Sequence, residues 1–451
     1  MTEQAAPFVR REVWSLAADD PIITAYARAV ELMKGRHASD PTSWSYQAAM
    51  HGTEDQSASP LWNGCQHGGW FFLPWHRMFL YHFEEIVRAA VIATGGPADW
   101  ALPYWNYGLG GKKAELPEAF RNPADASNPL YVGERAPGIN EGAAVPAIVA
   151  SPRKALARPN FVGSAEFGGN VTRSGQFWRM TGQLEQTPHN DIHGAVGGEG
   201  LMGNVRAAAQ DPIFWLHHAN IDRLWSVWAA QPGRTAPTES QWQDQSFEFF
   251  DKDGKRISMK CSEVLETASD LGYVYDTDAA TDATPAKPPQ PAVAQAMTTL
   301  EPQMVGASEQ GIALVGATAS IPVKIDGKAA RDAQAPNQRV YLNVEDIEGE
   351  TNPGNAYGIF VNLPEGAPAD LASPHHVGNL SFFGIEHARN PDGDEHGHGL
   401  RVAVEITGLA DELKARGDWE DHELLVTFRP VAGAAEHKQI KIGRVSVFYD
   451  A

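Results

Sequence analysis

The sequence predicts a mainly α protein: a helical bundle over residues 1–276, a Pro/Ala-rich linker over 277–299, and a C-terminal antiparallel β-sandwich over 300–451. Three observations lead there. At 451 residues the chain exceeds what one hydrophobic core usually organises, so two domains are expected. In the first part apolar residues recur at helical spacing. Beyond about residue 300 they alternate or run apolar over short lengths between turn residues.

In chain order, residues 23–50 read as two helices, YARAVELMKGR and SWSYQAAM, broken at Asp40-Pro41, with His51 at the end of the second before Gly52. Residues 74–93 (PWHRMFLYHFEEIVRAAVIA) open with proline and stop at Gly95-Gly96, which predicts a long helix with His76 in its first turn. From 108 to 169 glycine, proline and asparagine recur every few residues, the mark of an irregular insertion. A short helix is expected to carry PHNDIHGAV and a longer one residues 212–229 (PIFWLHHANIDRLWSVWA). Residues 277–292 (TDAATDATPAKPPQPA) have the composition of an extended linker. RVYLNVEDI, YGIFVNL, LRVAVEI, ELLVTFRP and IKIGRVSVFY then supply the strands of the sandwich.

Lysine and arginine number 36 against 56 aspartates and glutamates, a formal charge of -20 that repels phosphate backbones and anionic lipid. Nucleic-acid and membrane partners are therefore not expected. With no apolar run of spanning length and no apolar stretch after Arg10-Arg11, the expected location is cytoplasmic. Two cysteines, Cys65 and Cys261, are too few for a disulfide framework and agree with a reducing compartment.

The histidines are grouped. His51, His67 and His76 form one set; His189, His193 and the adjacent His217-His218 form another. His189 and His193, four apart, share a helical face and can close on one ion. Neighbours on a helix diverge by about 100°, so His217 and His218 do not both serve it. Any one of these residues alone is more often a cap or surface histidine, and HxxxH is common; the joint pattern carries the argument. Diiron sites draw on Glu-x-x-His carboxylates and hydrolytic zinc sites often include a carboxylate, whereas these groups offer only imidazole nitrogen. Softness favours copper, and spacing alone does not separate it from zinc.

AMHG, CQHGGWFFLPWHRMFLYHFE, LPYWNY, HNDIHG and DPIFWLHHANIDRLW, in that order, and GYVYD at Tyr273 and Tyr275, resemble the tyrosinase, catechol oxidase and hemocyanin superfamily over residues 8–276. The resemblance implies a dinuclear copper centre using dioxygen to oxidise phenols. It implies one copper on His51, His67 and His76, a second on His189, His193 and His218, and His217 as a pocket residue. Cys65, two residues before His67, is by default a small buried hydrophobe; likeness to the Cys-x-His of fungal tyrosinases implies a thioether to the His67 ring instead. Cys261 reads as structural. Asp222, four after His218, reads either as an acceptor for that imidazole or as an arginine partner. His82 reads as a surface or core histidine.

A phenol with a pKa near 10 must lose its proton before hydroxylation, so a base is required. By the resemblance Glu185 and Asn190 hold the water that takes it; the plain alternatives are a solvated glutamate and a capping asparagine. Val205 stands where many plant catechol oxidases carry a bulky phenylalanine, and with Gly194 leaves room for a substituted ring. These features favour monophenolase plus diphenolase activity, with catechol oxidase, o-aminophenol oxidase and an oxygen carrier as alternatives. Residues 300–451 resemble the C-terminal domain of plant polyphenol oxidases. That likeness implies a latent enzyme whose copper site is covered by Phe382 or Phe383, and which is activated by a protease cutting the linker. A free-standing β-domain is the other reading.

Overall fold

The computed structural model describes residues 6–55, 59–171, 181–277, 302–333, 338–388, 399–416, 423–432 and 437–450. The linker, beyond Thr277, lies outside the described residues.

Two hydrophobic cores organise the chain, one drawn mostly from residues 13–273 and one from residues 305–449. The first is built on α1 (Pro21–Lys34), α2 (Trp44–His51), α3 (Phe72–Ala93), the single turns α4 (Ala147–Ala150) and α5 (Arg153–Leu156), α6 (Asp191–Gly197) and α7 (Ile213–Ala229). Asp20 caps α1 by accepting from the Ile22 amide at 2.8 Å, and Ser43 caps α2 by accepting from Tyr46 at 3.1 Å; such caps contribute about 1 kcal/mol each. The break predicted at Asp40-Pro41 falls between them. α3 begins at Phe72, two residues before the expected proline, which moves His76 into its second turn. Its buried face meets α7 through Trp215, which stacks on Phe83 and lies tilted against Phe79. The segment expected as one short helix opens instead as a widened turn over Glu185–Asn190, with Thr187 in an extended conformation, and only then becomes α6.

A parallel strand pair closes the helical part: β1 (Phe8–Arg10) lies along β4 (Tyr273–Tyr275). Arg10 reaches inward to Glu84 at 2.7 Å and to Asp222 at 3.2 Å, and Asp222 also binds Arg77, Tyr273 (2.5 Å) and Tyr275 (2.6 Å). Asp222 is thus the arginine partner of the two readings, held below the usual carboxylate range: Arg77 and Arg10 outweigh the opposing effect of burial. A small hairpin, β2 (Ser246–Phe250) with β3 (Arg256–Lys260), covers the flank. Cys261 is buried in this core, and His82 is buried with Nδ1 3.3 Å from Glu85.

The C-terminal part corrects two expectations. Its sheet is too large for the whole chain to be called mainly α. Nor is it a sandwich: β5 (Gln303–Ala307), β6 (Ile312–Leu314), β7 (Ala319–Ile325), β8 (Arg339–Glu348), β9 (Tyr357–Val361), β10 (His376–Leu380), β11 (Leu400–Glu405), β12 (Glu423–Pro430) and β13 (Ile440–Asp450) form one nine-stranded antiparallel sheet. Its path runs β10-β9-β12-β7-β5-β13-β8-β11, with β6 also on β13, and its two ends curl towards each other. The physical reason is β13, eleven residues long, which pairs β8 on one side and β5 and β6 on the other and so joins what would be two layers. Alternation along a strand reports which residues face inward, not which neighbour it pairs with.

Candidate dinuclear metal centre

The six histidines that the resemblance implies as ligands converge at the middle of the helical part. His51 ends α2, His67 lies in the loop before α3, and His76 faces inward from α3; their ring centroids lie 5.2–5.6 Å apart. His189 and His193, across the widened turn and α6, are 4.6 Å apart, and His218 on α7 is 4.9 and 5.5 Å from them. The sets face each other: His76 stacks on His218 at 4.6 Å and His67 lies 5.7 Å from His189. Ring nitrogens of His51, His76 and His218 all fall within 4.8 Å of one another, as do those of His189, His193, His217 and His218.

The backbone fixes the tautomers. Nδ1 of His51 meets the Val205 carbonyl (3.1 Å), that of His76 the Phe72 carbonyl (2.8 Å) and that of His193 the Met202 carbonyl (2.8 Å). Nδ1 of His189 meets the Asn190 amide oxygen at 2.9 Å. Each bond leaves Nε2 facing the centre, and Nε2 of His51, His67, His76 and His189 has no protein partner. Burial pushes all these imidazoles down, His67 to about 4, so they are neutral. Neutral nitrogen donors turned inward by outer hydrogen bonds are what a metal ligand set requires. The site therefore fits a copper pair. His217 also points here, its Nδ1 3.1 Å from the Tyr107 hydroxyl, and burial pushes it down to about 3.

Cys65 stands where its sulfur falls within 4.8 Å of the His51 and His67 nitrogens, and burial with the nearby Glu185 pushes its thiol up to about 12. Glu185 is buried, not solvated. Burial pushes its carboxyl up to about 8, Oε1 accepts from the Gly68 amide at 2.8 Å, and Oε2 has no protein partner. Asn190 makes no side-chain cap; its amide oxygen orients His189. Val205 presents a carbonyl that orients His51, a role that type and spacing give no sign of.

The C-terminal part covers this centre. The Phe383 ring stacks on His193 (4.0 Å, 13°) and lies edge-on to His189 (5.8 Å) and His67 (6.0 Å). Phe382 turns the other way into the sheet core, edge-on to Tyr357. Around the ring, a side-chain atom added to Gly384 would meet Val205, and one added to Gly194 would meet Asn352 and Ser381.

Residues 41–231 match the common central domain of tyrosinase, residues 237–288 the polyphenol oxidase middle domain, and residues 301–450 a domain of unknown function. The chain is 35% identical to tyrosinase HcTyr1 of Hahella sp. (strain CCB-MM4), covering 97% of this chain and 98% of that one. The chain belongs to the tyrosinase family. It is a copper-dependent oxidoreductase of the tyrosinase and polyphenol oxidase type, and the family implies a dinuclear copper centre. A chloroplastic polyphenol oxidase of Malus domestica is 28% identical over 94% of this chain and 76% of its own length. Latent apple tyrosinase superposes with a TM-score of 0.68 at 26% identity, over 100% of this chain and 98% of that chain. Recombinant latent aurone synthase shares the fold, with a TM-score of 0.65 at 21% identity over 99% of this chain and 90% of that one. Among the described residues no helix is long and apolar enough to cross a membrane.

Proposed function

We propose that this tyrosinase-family enzyme hydroxylates monophenols and oxidises o-diphenols to o-quinones with dioxygen, and that it is latent while Phe383 occupies the substrate position. The observation that carries the reading is an aromatic ring stacked 4.0 Å from His193, above two facing sets of imidazoles with inward-turned nitrogens. One copper belongs to His51, His67 and His76, the second to His189, His193 and His218. His218 is preferred over His217 because its Nε2 lies 3.3 Å from that of His193 and its ring stacks on His76, between the two sets. When bound, the copper pair supplies dioxygen binding and the two-electron oxidation of the phenol.

The protein's own residues do the rest. The stacking position of Phe383 supports a phenol pose flat on His193, flanked by His67 and His189. Glu185, with Oε2 free of protein partners, holds the water that takes the phenol proton. Asn190 aids with its amide nitrogen, its oxygen being committed to His189. Val205 and Gly194 leave the mouth open to a substituted ring once the C-terminal part withdraws. Cys65 is placed to bond the His67 ring and stiffen that loop. An apolar plug suits a pocket shaped for an aromatic ring, because the entering ring brings no polar group to desolvate. Crossed ion pairs, Arg158 with Glu405 and Arg339 with Glu166, hold the cover in place, and an activating protease acting between the two parts would remove it.

The test is a copper-loaded preparation, before and after removal of the C-terminal part, given oxygen and then a monophenol. A near-ultraviolet band on oxygenation and monophenol turnover after removal are expected. Turnover of the diphenol alone would reduce the reading to a catechol oxidase.

A further inference from the structure

The C-terminal part does more than plug the site. Three of its polar side chains reach the short segments that orient the second set of histidines. Asn379 of β10 donates its amide to the Asp191 carboxylate at 2.7 Å, between His189 and His193, and to the Ile148 carbonyl of α4 at 2.8 Å. Ser381 donates to the carbonyl of Asn190, the residue that orients His189, at 2.9 Å. Asn352 donates to the Gly203 carbonyl at 3.1 Å, one residue beyond Met202, whose carbonyl orients His193. All three lie among buried groups, and Asn379 is held from behind by His376, whose Nε2 faces its amide oxygen at 2.9 Å; Lys154 of α5 in turn donates to the His376 carbonyl at 3.1 Å.

The segment so held has little rigidity of its own. α6 has seven residues, shorter than a helix that sustains itself in water. It follows a turn with an extended residue inside it, and it contains Gly194 and Gly197, which add freedom to be lost. Asp191 is otherwise bound by Thr187 at 2.7 Å, and its second oxygen has no protein partner. By contrast His51 and His76 take their orientation from Val205 and Phe72, inside the helical part, and His76 sits on a helix of 22 residues.

We propose, on the ligand assignment above, that Asn379, Ser381 and Asn352 are positioning residues for the second copper alone, so that closure of the C-terminal part and retention of that ion are one coupled equilibrium. Linkage is reciprocal: if closure tightens the second copper, the second copper tightens closure by the same factor. None of these three bonds is made to His51, His67 or His76, or to Val205 or Phe72, whose carbonyls orient His51 and His76.

The experiment uses the full chain, copper-loaded and equilibrated against a graded chelator, with copper per chain read by elemental analysis. N379A, and the isosteric N379D, which sets a second carboxylate against Asp191, are compared with the parent. Tyr341→Phe serves as the control, since Tyr341 crosses the same interface to the Ser164 carbonyl at 3.1 Å, away from the ligands. The second copper is expected to be lost at roughly tenfold lower chelator in both Asn379 variants, as the loss of one buried hydrogen bond allows, with the first copper unmoved and Tyr341→Phe like the parent. Hydrogen exchange supplies the reciprocal readout: β10 amides should be better protected in copper-loaded than in metal-free parent, and the difference should shrink in N379A. Equal loss of both coppers, or a second copper as tight as in the parent for both Asn379 variants, overturns the coupling and leaves the copper assignment standing. A parent chain that takes up no copper overturns both.

Discussion

Replacing Phe383 by alanine removes the ring that the cover inserts into the site and leaves the other interface bonds untouched. Phe383 is 6% exposed and packs on three imidazoles of the helical part, so its burial belongs to the interface and not to the fold of the sheet. Truncating a ring buried to this degree costs about 3–5 kcal/mol. All of that falls on the closed state, because the open state already exposes the ring to water. At about 1.4 kcal/mol per factor of ten, the open fraction rises by roughly 2 to 3.6 decades, about 10²-fold to several thousand-fold, until it saturates. A ligand for a rarely populated open form binds in proportion to that fraction, so kcat/KM for an o-diphenol should rise by the same factor, capped by the value of the uncovered enzyme. Initial oxygen uptake at matched copper content measures it, with Phe382→Ala as the comparison. Phe382 fills the sheet core, so its loss should lower the melting temperature of the C-terminal part with no comparable selective gain in kcat/KM. An F383A enzyme as slow as the parent, while the uncovered enzyme is fast, would refute the plug.

Three further outcomes are expected. His218→Ala should lose one copper per chain and nearly all oxidation, whereas His217→Ala should keep both ions; elemental analysis decides, and two coppers with activity in His218→Ala would sink the ligand set. Glu185→Gln keeps shape but removes the carboxyl that holds the proton-taking water, so monophenol oxidation should fall by roughly 10²-fold or more and diphenol oxidation far less; equal losses would make Glu185 structural. The peptide joining Cys65 to His67 should be lighter by two hydrogen atoms in copper-loaded protein and ordinary in Cys65→Ala; an unmodified peptide in active enzyme would rule out the thioether.

The helices and the histidines were legible in the sequence because both are local. HxxxH on one face, or a cap such as Asp20 before Pro21, depends on residues a few positions apart. What the sequence does not carry is pairing over long separations. The β13 pattern shows a long strand, yet nothing in it says that β8 and β5 flank it, and so one curled sheet was expected as a sandwich. The short helix expected over PHNDIHGAV begins inside a widened turn, because Thr187, just before Pro188, takes an extended conformation that the helical spacing of the following residues does not report. Phe382 and Phe383 are adjacent and chemically identical, and neither residue type nor spacing says which ring faces the metal site. Asp222 looked equally suited to two partners because the arginines that claim it lie 145 and 212 residues away.

That arginine cluster has a consequence for how the enzyme can be trimmed. Asp222, Arg10, Arg77, Tyr273 and Tyr275 knot the chain's eighth to tenth residues to the stretch just ahead of Thr277, and the knot sits beneath α3 and α7, the helices bearing His76 and His218. Everything downstream of the knot hangs from it like a tail from a buckle: a cut beyond Thr277 leaves the buckle fastened. Removing the first ten residues unfastens it: Arg10 is lost from the buried carboxylates of Glu84 and Asp222, which keep Arg88 and Arg77 as ion-pair partners, and breaking buried pairs of this kind costs about 3–5 kcal/mol. The two ends of the oxidase core are thus unequal: a cut beyond Thr277 spares the knot, whereas a cut within the first ten residues breaks it.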